Sequence, residues 1–199
     1  MRLIGITGGV GAGKSTVLDI LKEECNCEIL LADRVAEELM QPGQTAYGPI
    51  MELPWPGPVT DTEGIIDRPL FAKYMFADES LRIAVDNIVH PAVWNEVIKR
   101  VENARKIAKI DYFFFEAALL IEAGYDKICD EIWYIFADEN TRRLRLKASR
   151  GYSDEKIDSI FGCQLSDEVF RAKCTRIIDN SFSAEVTRRN VCQVLTKMT

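Results

Sequence analysis

Eight residues near the start of the chain, Gly8-Gly9-Val10-Gly11-Ala12-Gly13-Lys14-Ser15, satisfy the pattern G-x-x-x-x-G-K-[ST]. The pattern constrains the fold because it works only between a strand and a helix. Its glycines let the backbone curl until N–H groups converge on phosphate oxygens, and the following helix N-terminus adds partial positive charge. The flanks fit: Leu3-Ile4-Gly5-Ile6-Thr7 is a short apolar run typical of a buried parallel strand, and Val17, Leu18 and Leu21 recur at helical spacing after Lys14. Gly9, Gly11, Ala12 and Gly13 are therefore expected to cradle the phosphates of a nucleotide. Lys14 reaches the β- and γ-phosphates, Ser15 offers Mg²⁺ a hydroxyl, and Thr16 adds a donor at the helix start.

The rest of the chain continues the alternation. Ile29-Leu30-Leu31-Ala32 reads as a second strand, and Val35, Ala36 and Leu39 as one face of a short helix stopped by Pro42-Gly43. From Gly43 to Pro69, five prolines and several glycines predict an irregular excursion, after which helices resume near Pro69. The clearest helix is expected to begin near Pro91, in its first turn, with Val93, Val97, Ile98, Val101 and Ala104 at helical period. Tyr112 to Glu116, Glu131 to Phe136 and Arg176 to Ile178 read as three further strands before a C-terminal helix. Five strands alternating with helices predict an α/β fold with a parallel sheet and crossover helices.

Composition narrows the function classes. The 199 residues are 47% hydrophobic and 28% charged, which fits one globular domain, with or without an insertion, and excludes a disordered chain. A net charge of −6 argues against nucleic-acid binding, which needs cationic surface to displace counterions. The longest nearly apolar run, Tyr112 to Ile121, is interrupted by Glu116 and is too short to span a bilayer. The N-terminus lacks the apolar core of an export signal, so a cytoplasmic protein is expected. Six cysteines in such a chain are expected to be free thiols, and one histidine, His90, leaves too few ligands for structural zinc.

Several residues outside the loop carry chemistry. Asp33 is expected to end the second strand, on the sheet edge where ligands bind. There it can take the proton from an attacking hydroxyl, or cap the helix that follows, or do both. Glu116, at another strand end, suits either a water-mediated hold on Mg²⁺ or burial against a cation. Arg142, Arg143, Arg145, Lys147 and Arg150 place five cations in nine residues with no acid among them. Around a helix they cover more than half the circumference, so some face inward, where guanidinium forks suit a transferring phosphoryl group. Gly151 provides a hinge position. A GTPase switch would usually add an N-K-x-D motif, and the chain has no Asn-Lys pair.

Short motifs, in order, carry a resemblance. The segment Ile6 to Thr16, then Ala32-Asp33-Arg34-Val35-Ala36-Glu37-Glu38-Leu39 with Pro42-Gly43, is similar to dephospho-CoA kinases. The similarity continues through Ile66-Asp67-Arg68 with Leu70, His90-Pro91, Leu119-Leu120-Ile121-Glu122, Arg145 with Arg150, Gln164, and Ile178-Asp179-Asn180. Where the family often has Asp-Ala-Asp, this chain has Leu31-Ala32-Asp33.

The resemblance implies a P-loop kinase of three-layer α/β/α form with a five-stranded parallel sheet. It implies one domain whose core covers about 1–39, 110–140 and 170–199, with a helical substrate-binding insertion at about 40–109 and a lid at about 141–169. The implied reaction is ATP- and Mg²⁺-dependent phosphorylation of the ribose 3′-hydroxyl of dephospho-CoA, giving CoA and ADP. Asp33 would be the base, with Lys14 and Arg145 the other catalytic groups, and Arg145 and Arg150 closing over the ATP phosphates. Thr7, Arg68, His90 and Glu122 would join Asp33 on the substrate side. The implied partners are small molecules alone, in a monomer or small homo-oligomer. The alternatives are another P-loop small-molecule kinase, of nucleoside monophosphate or shikimate type, and, in another class, the GTPase-type switch.

Overall fold

A computed structural model describes residues 1–198. Fifteen elements follow one another: β1 (Arg2–Thr7), α1 (Lys14–Glu24), β2 (Cys27–Leu31), α2 (Ala32–Leu39), α3 (Tyr47–Met51), α4 (Arg68–Ala77), α5 (Glu79–Ile107), β3 (Tyr112–Glu116), a 3₁₀ turn (Tyr125–Lys127), β4 (Glu131–Phe136), α6 (Glu139–Arg150), α7 (Asp154–Gly162), α8 (Asp167–Lys173), β5 (Arg176–Asp179) and α9 (Ala184–Thr196). They divide into two compact units, one of Met1–Leu30 with the chain from Ala104 onward, the other of Leu31–Asn103.

The first unit is built on a five-stranded parallel sheet in the order β2-β3-β1-β4-β5. β1 is central and runs parallel to β3 on one side, Ile4 opposite Phe114, and to β4 on the other, Ile6 opposite Trp133. Leu3, Ile4 and Ile6, Phe113 to Phe115, and Trp133 to Ile135 are all buried, so successive residues on both faces are covered. That is why these strands read as continuous apolar runs rather than alternating ones. The chain moves from β1 towards one edge and later from β4 towards the other. With right-handed crossovers this reversal puts helices on both faces and opens a ligand crevice at the carboxyl end of β1.

The second unit is helical. α4 starts where expected: Asp67 accepts a hydrogen bond from Leu70 N (3.1 Å) as N-cap, and Pro69 sits in the first turn. The stretch expected to be irregular contains the one-turn helix α3, fixed by buried Ala46 and Ile50.

Pro91 corrects the expected boundary, since it lies inside α5 rather than at a helix start. A buried stripe at intervals of four runs straight through it: Leu81, Val85, Val89, Val93, Val97 and Val101. An internal proline costs about 3 kcal/mol, and burying each such side chain returns roughly 1.5–3 kcal/mol, so the stripe outweighs the break. A second correction concerns Asp33. β2 ends at Leu31, which is the N-cap residue of α2, and Asp33 lies in that helix's first turn without capping it through its side chain.

All six cysteines are free thiols. Among the described residues no helix is long and apolar enough to cross a membrane, and no cluster of three or more His, Cys, Asp or Glu is arranged to hold a metal ion.

Candidate active site

The loop between β1 and α1 turns back on itself through a bond from Ala12 N to Gly9 O (3.1 Å). α1 begins at Lys14 with Gly13 as N-cap at φ 82°, a left-handed conformation. Glycine is required there twice over, because a Cβ at that position would also collide with the Asn180 amide. The N–H groups of Gly11, Gly13, Lys14, Ser15 and Thr16 have no acceptor among the described residues. Five backbone donors without protein partners, around a helix N-terminus, form an anion nest. Ser15 and Thr16 are exposed.

Lys14 is held in place before any anion arrives. Its Nζ donates to Gly8 O (2.9 Å) and lies 3.5 Å from Glu116 Oε1, with both side chains largely buried. Glu116 therefore takes the reading of a carboxylate set against a cation. Its position at the end of β3 leaves it beside the lysine of the G-x-x-x-x-G-K-[ST] pattern.

Two residues that the sequence placed only in a motif or a cation cluster support the loop. Asn180, buried just past β5, donates from Nδ2 to Ala12 O (2.7 Å) and Gly13 O (3.3 Å), and its Oδ1 accepts from buried Thr187 Oγ1 (2.7 Å). Arg142 donates from Nε to Val10 O (2.9 Å) and from Nη2 to Gln164 Oε1 (2.6 Å), and Val10 N donates to that same Oε1 (3.3 Å). Burial pulls the Arg142 guanidinium below its ordinary pKa. The signal lay in the spacing: Arg142 lies one helical turn before buried Leu146 and so shares its face of α6, and Arg145 neighbours Arg142 three residues on.

Among the expected site residues of this unit, Arg145 reaches the loop, donating to Ala12 O (3.3 Å) and Asn180 O (2.8 Å). Arg150 stays exposed at the end of α6, its guanidinium 5.8 Å from the Tyr152 ring centroid. Thr7 is 0% exposed and its hydroxyl has no hydrogen-bond partner. It lies at the end of β1 beneath the loop, so the hydroxyl that the resemblance places on the substrate side is covered in this conformation. Glu122 is exposed in the turn after β3.

Asp33, Arg68 and His90 lie in the helical unit. Asp33 is exposed and makes no hydrogen bond or ion pair among the described residues. Arg68 donates to Glu37 Oε1 (2.8 Å), while Arg34 donates to Glu37 Oε2 (2.8 Å), so one carboxylate carries two exposed guanidinium groups. The Arg68 guanidinium, and after it Arg34, holds Glu37 below the usual carboxylate range. His90 is exposed on α5, its Nε2 3.9 Å from Asp86 Oδ1. Arg68 and His90 are thus engaged by different carboxylates.

The comparison that decides the family is a match of residues 2–185 to the dephospho-CoA kinase family model. The chain belongs to the dephospho-CoA kinase family. A dephospho-CoA kinase of Symbiobacterium thermophilum is 35% identical over 191 residues, covering 96% of this chain and 79% of the relative. The fold is similar to that of the dephospho-CoA kinase from Campylobacter jejuni (TM-score 0.76, 20% identity, covering 98% and 96% of the two chains). A shikimate kinase from Acinetobacter baumannii shares the fold more loosely (TM-score 0.54, 15% identity, covering 100% and 93%). Family membership makes the chain a kinase, with the α/β fold described above, and the loop after β1 is the segment that carries the G-x-x-x-x-G-K-[ST] pattern.

Proposed function

We propose that this chain transfers the γ-phosphoryl group of ATP to the ribose 3′-hydroxyl of dephospho-CoA, giving CoA and ADP as the last step of CoA synthesis. The observation that carries the reading is the family match over residues 2–185, on a chain whose loop amides at Gly11 and at Gly13 to Thr16 have no acceptors among the described residues. In this reading the phosphates take those amides. Lys14 exchanges Gly8 O and Glu116 for phosphate oxygens and neutralises the charge that grows on them.

Arg145 moves from the carbonyls of Ala12 and Asn180 to the nucleotide, and the segment of about 141–169 acts as a lid, with Arg150 on its exposed arm. Asp33 accepts the proton of the attacking hydroxyl, its carboxylate unencumbered by a cap or an ion pair. Arg68, His90 and Glu122 serve the acceptor, within an insertion of about 40–109, and Thr7 supports the loop from below. Mg²⁺ fits this donor set: Mg²⁺ takes few protein ligands beside phosphate oxygens, and Ser15 presents an exposed hydroxyl one residue after Lys14, with Glu116 beside that lysine. The ion would neutralise phosphate charge there. The enzyme acts in the cytoplasm, as a monomer or small homo-oligomer, on small molecules alone.

The test is acceptor competition. The protein is given ATP and Mg²⁺ with dephospho-CoA, AMP, adenosine or shikimate, and ADP release and product mass are followed. Dephospho-CoA should be phosphorylated far more efficiently than adenosine, because its pyrophosphate and pantetheine arm supply binding energy that positions the hydroxyl. Preference for AMP or shikimate would move the chain to another acceptor. GTP hydrolysis without an acceptor requirement would favour the switch.

A further inference from the structure

α6 sorts its cations by partner. Arg143 is taken up by three acids, Asp158 (2.6 Å), Asp154 (3.0 Å) and Glu139 (3.1 Å), and Lys147 by Asp154 (2.7 Å). Arg142 and Arg145 form no ion pair among the described residues and spend their donors on carbonyl oxygens. Arginine keeps its proton in proteins even when burial lowers its pKa. Two positive charges outside any ion pair therefore lie against the loop after β1.

Arg142 is the less expected of the two, and it is held more tightly. Its Nε serves Val10 O, its Nη2 serves Gln164 Oε1, and its guanidinium lies 4.1 Å over the Phe161 ring. Val10 N closes the ring of bonds by donating to the same Gln164 oxygen. Both hydrogen-bonding groups of Val10, at the tip of the loop, are thereby fixed by side chains of α6 and the end of α7. A Cβ at Gly9 would come within 2.5 Å of Arg142 Nη2 and 2.6 Å of its Cζ, so the guanidinium lies directly against the loop backbone.

We propose that Arg142 is a positioning residue of the nucleotide site: acting through Val10 and Gln164, it holds the loop tip in its anion-accepting shape and adds a positive charge that is tied up in no ion pair among the described residues. The proposal rests on the ATP-dependent reading above. A fixed loop does not have to be ordered when the nucleotide arrives, so its loss shows as weaker nucleotide binding before any chemistry occurs. The fork geometry also matters, because one ammonium group cannot reproduce the two directed bonds and the stacked plane.

The experiment is calorimetric titration of ATP, with no acceptor, into the full-length wild type and the variants Lys14→Ala, Arg142→Ala, Arg142→Lys, Gln164→Ala and Arg142→Ala/Gln164→Ala. Lys14→Ala should bind ATP far more weakly than wild type. Arg142→Ala should raise the Kd about tenfold, the size of one charge-assisted hydrogen bond. Arg142→Lys should raise it about three- to tenfold, and it supplies the readout if Arg142→Ala does not fold. The double variant should bind about as weakly as Arg142→Ala alone, since both residues act through Val10.

Thermal unfolding without ATP is measured alongside. A lower unfolding temperature with wild-type ATP affinity in the folded Arg142 variants means a packing role and overturns the proposal, as does full additivity in the double variant. If Lys14→Ala weakens binding and the Arg142 variants do not, only the positioning role fails. If wild type binds no ATP, or Lys14→Ala binds equally well, the nucleotide reading itself fails and takes this proposal with it.

Discussion

The side-chain nitrogen of Asn180 lies 2.7 Å from the carbonyl oxygen of Ala12. A residue just past the last strand thus supports the loop that follows the first strand, and the support is buried. Asn180→Asp keeps the volume but sets a carboxylate oxygen against the carbonyls of Ala12 and Gly13. It should cost about 2–3 kcal/mol in urea unfolding, the range for a buried polar group left facing the wrong partner. Thr187→Val removes the hydroxyl that serves Asn180 Oδ1 (2.7 Å) and Ser183 O (3.2 Å) and should cost about 1 kcal/mol. Equal, small losses in both variants would show that the loop does not depend on this prop.

Lys14→Ala should lower kcat by roughly 10²–10³-fold, the range for removing one preorganised group from a developing charge. The fold should persist. Far-ultraviolet circular dichroism and steady-state kinetics on the same sample check both parts, and unaltered turnover in a folded variant would remove Lys14 from the chemistry.

For Asp33→Asn, kcat should fall by roughly 10²–10⁴-fold with a smaller change in acceptor KM. Stability should change by less than about 1 kcal/mol, because the side chain makes no cap or ion pair and loses only its favourable place in the first turn of α2. A stability loss with kcat retained would make Asp33 a structural residue.

Two thiols give a pH prediction. Burial, reinforced by nearby Cys27, pushes Cys25 from an ordinary value near 9 up to about 12, and burial with neighbouring Asp130 does the same for Cys129. The folded state therefore prefers the protonated thiols. Their contribution to stability is complete below about pH 9 and is lost progressively as pH rises towards 12. Urea midpoints measured between pH 8 and pH 11 should fall over that window, more than in a Cys25→Ser/Cys129→Ser double variant. At pH 8, iodoacetamide should modify exposed Cys163 before either of these half-buried thiols.

Much of this was legible before the structure, for physical reasons that differ by element. The strands β1, β3 and β4 are covered on both faces, so their apolar runs stand out without periodicity. The phosphate loop declares itself because glycine positions and Lys14 are dictated by backbone geometry. Pro91 misled because a local rule about proline gave way to a stripe of six buried residues spaced over five helical turns. Asn180, Arg142 and Gln164 escaped assignment because their roles lie in bonds to carbonyls and amides far away in sequence, and a single chain records the residues without the pairing. Thr7 was placed on the substrate side by the family resemblance alone. Its full burial follows from its place as the last residue of the central strand.

The sheet order also dictates when the protein can assemble during synthesis. β1 leaves the ribosome first and is the middle strand, yet both of its partners, β3 from Tyr112 and β4 from Glu131, are translated after the whole helical unit of Leu31–Asn103. The apolar run Leu3 to Thr7 must therefore wait, unpaired, until more than half of the chain has emerged. Contacts this distant in sequence close slowly and leave such a strand exposed to mispairing meanwhile. The helical unit carries no such delay, since all of its own contacts lie within one contiguous stretch. A nascent-chain stall placed before β3 would leave the loop after β1 flanked by a strand with nothing to pair with, so the sheet unit is among the last parts to become native.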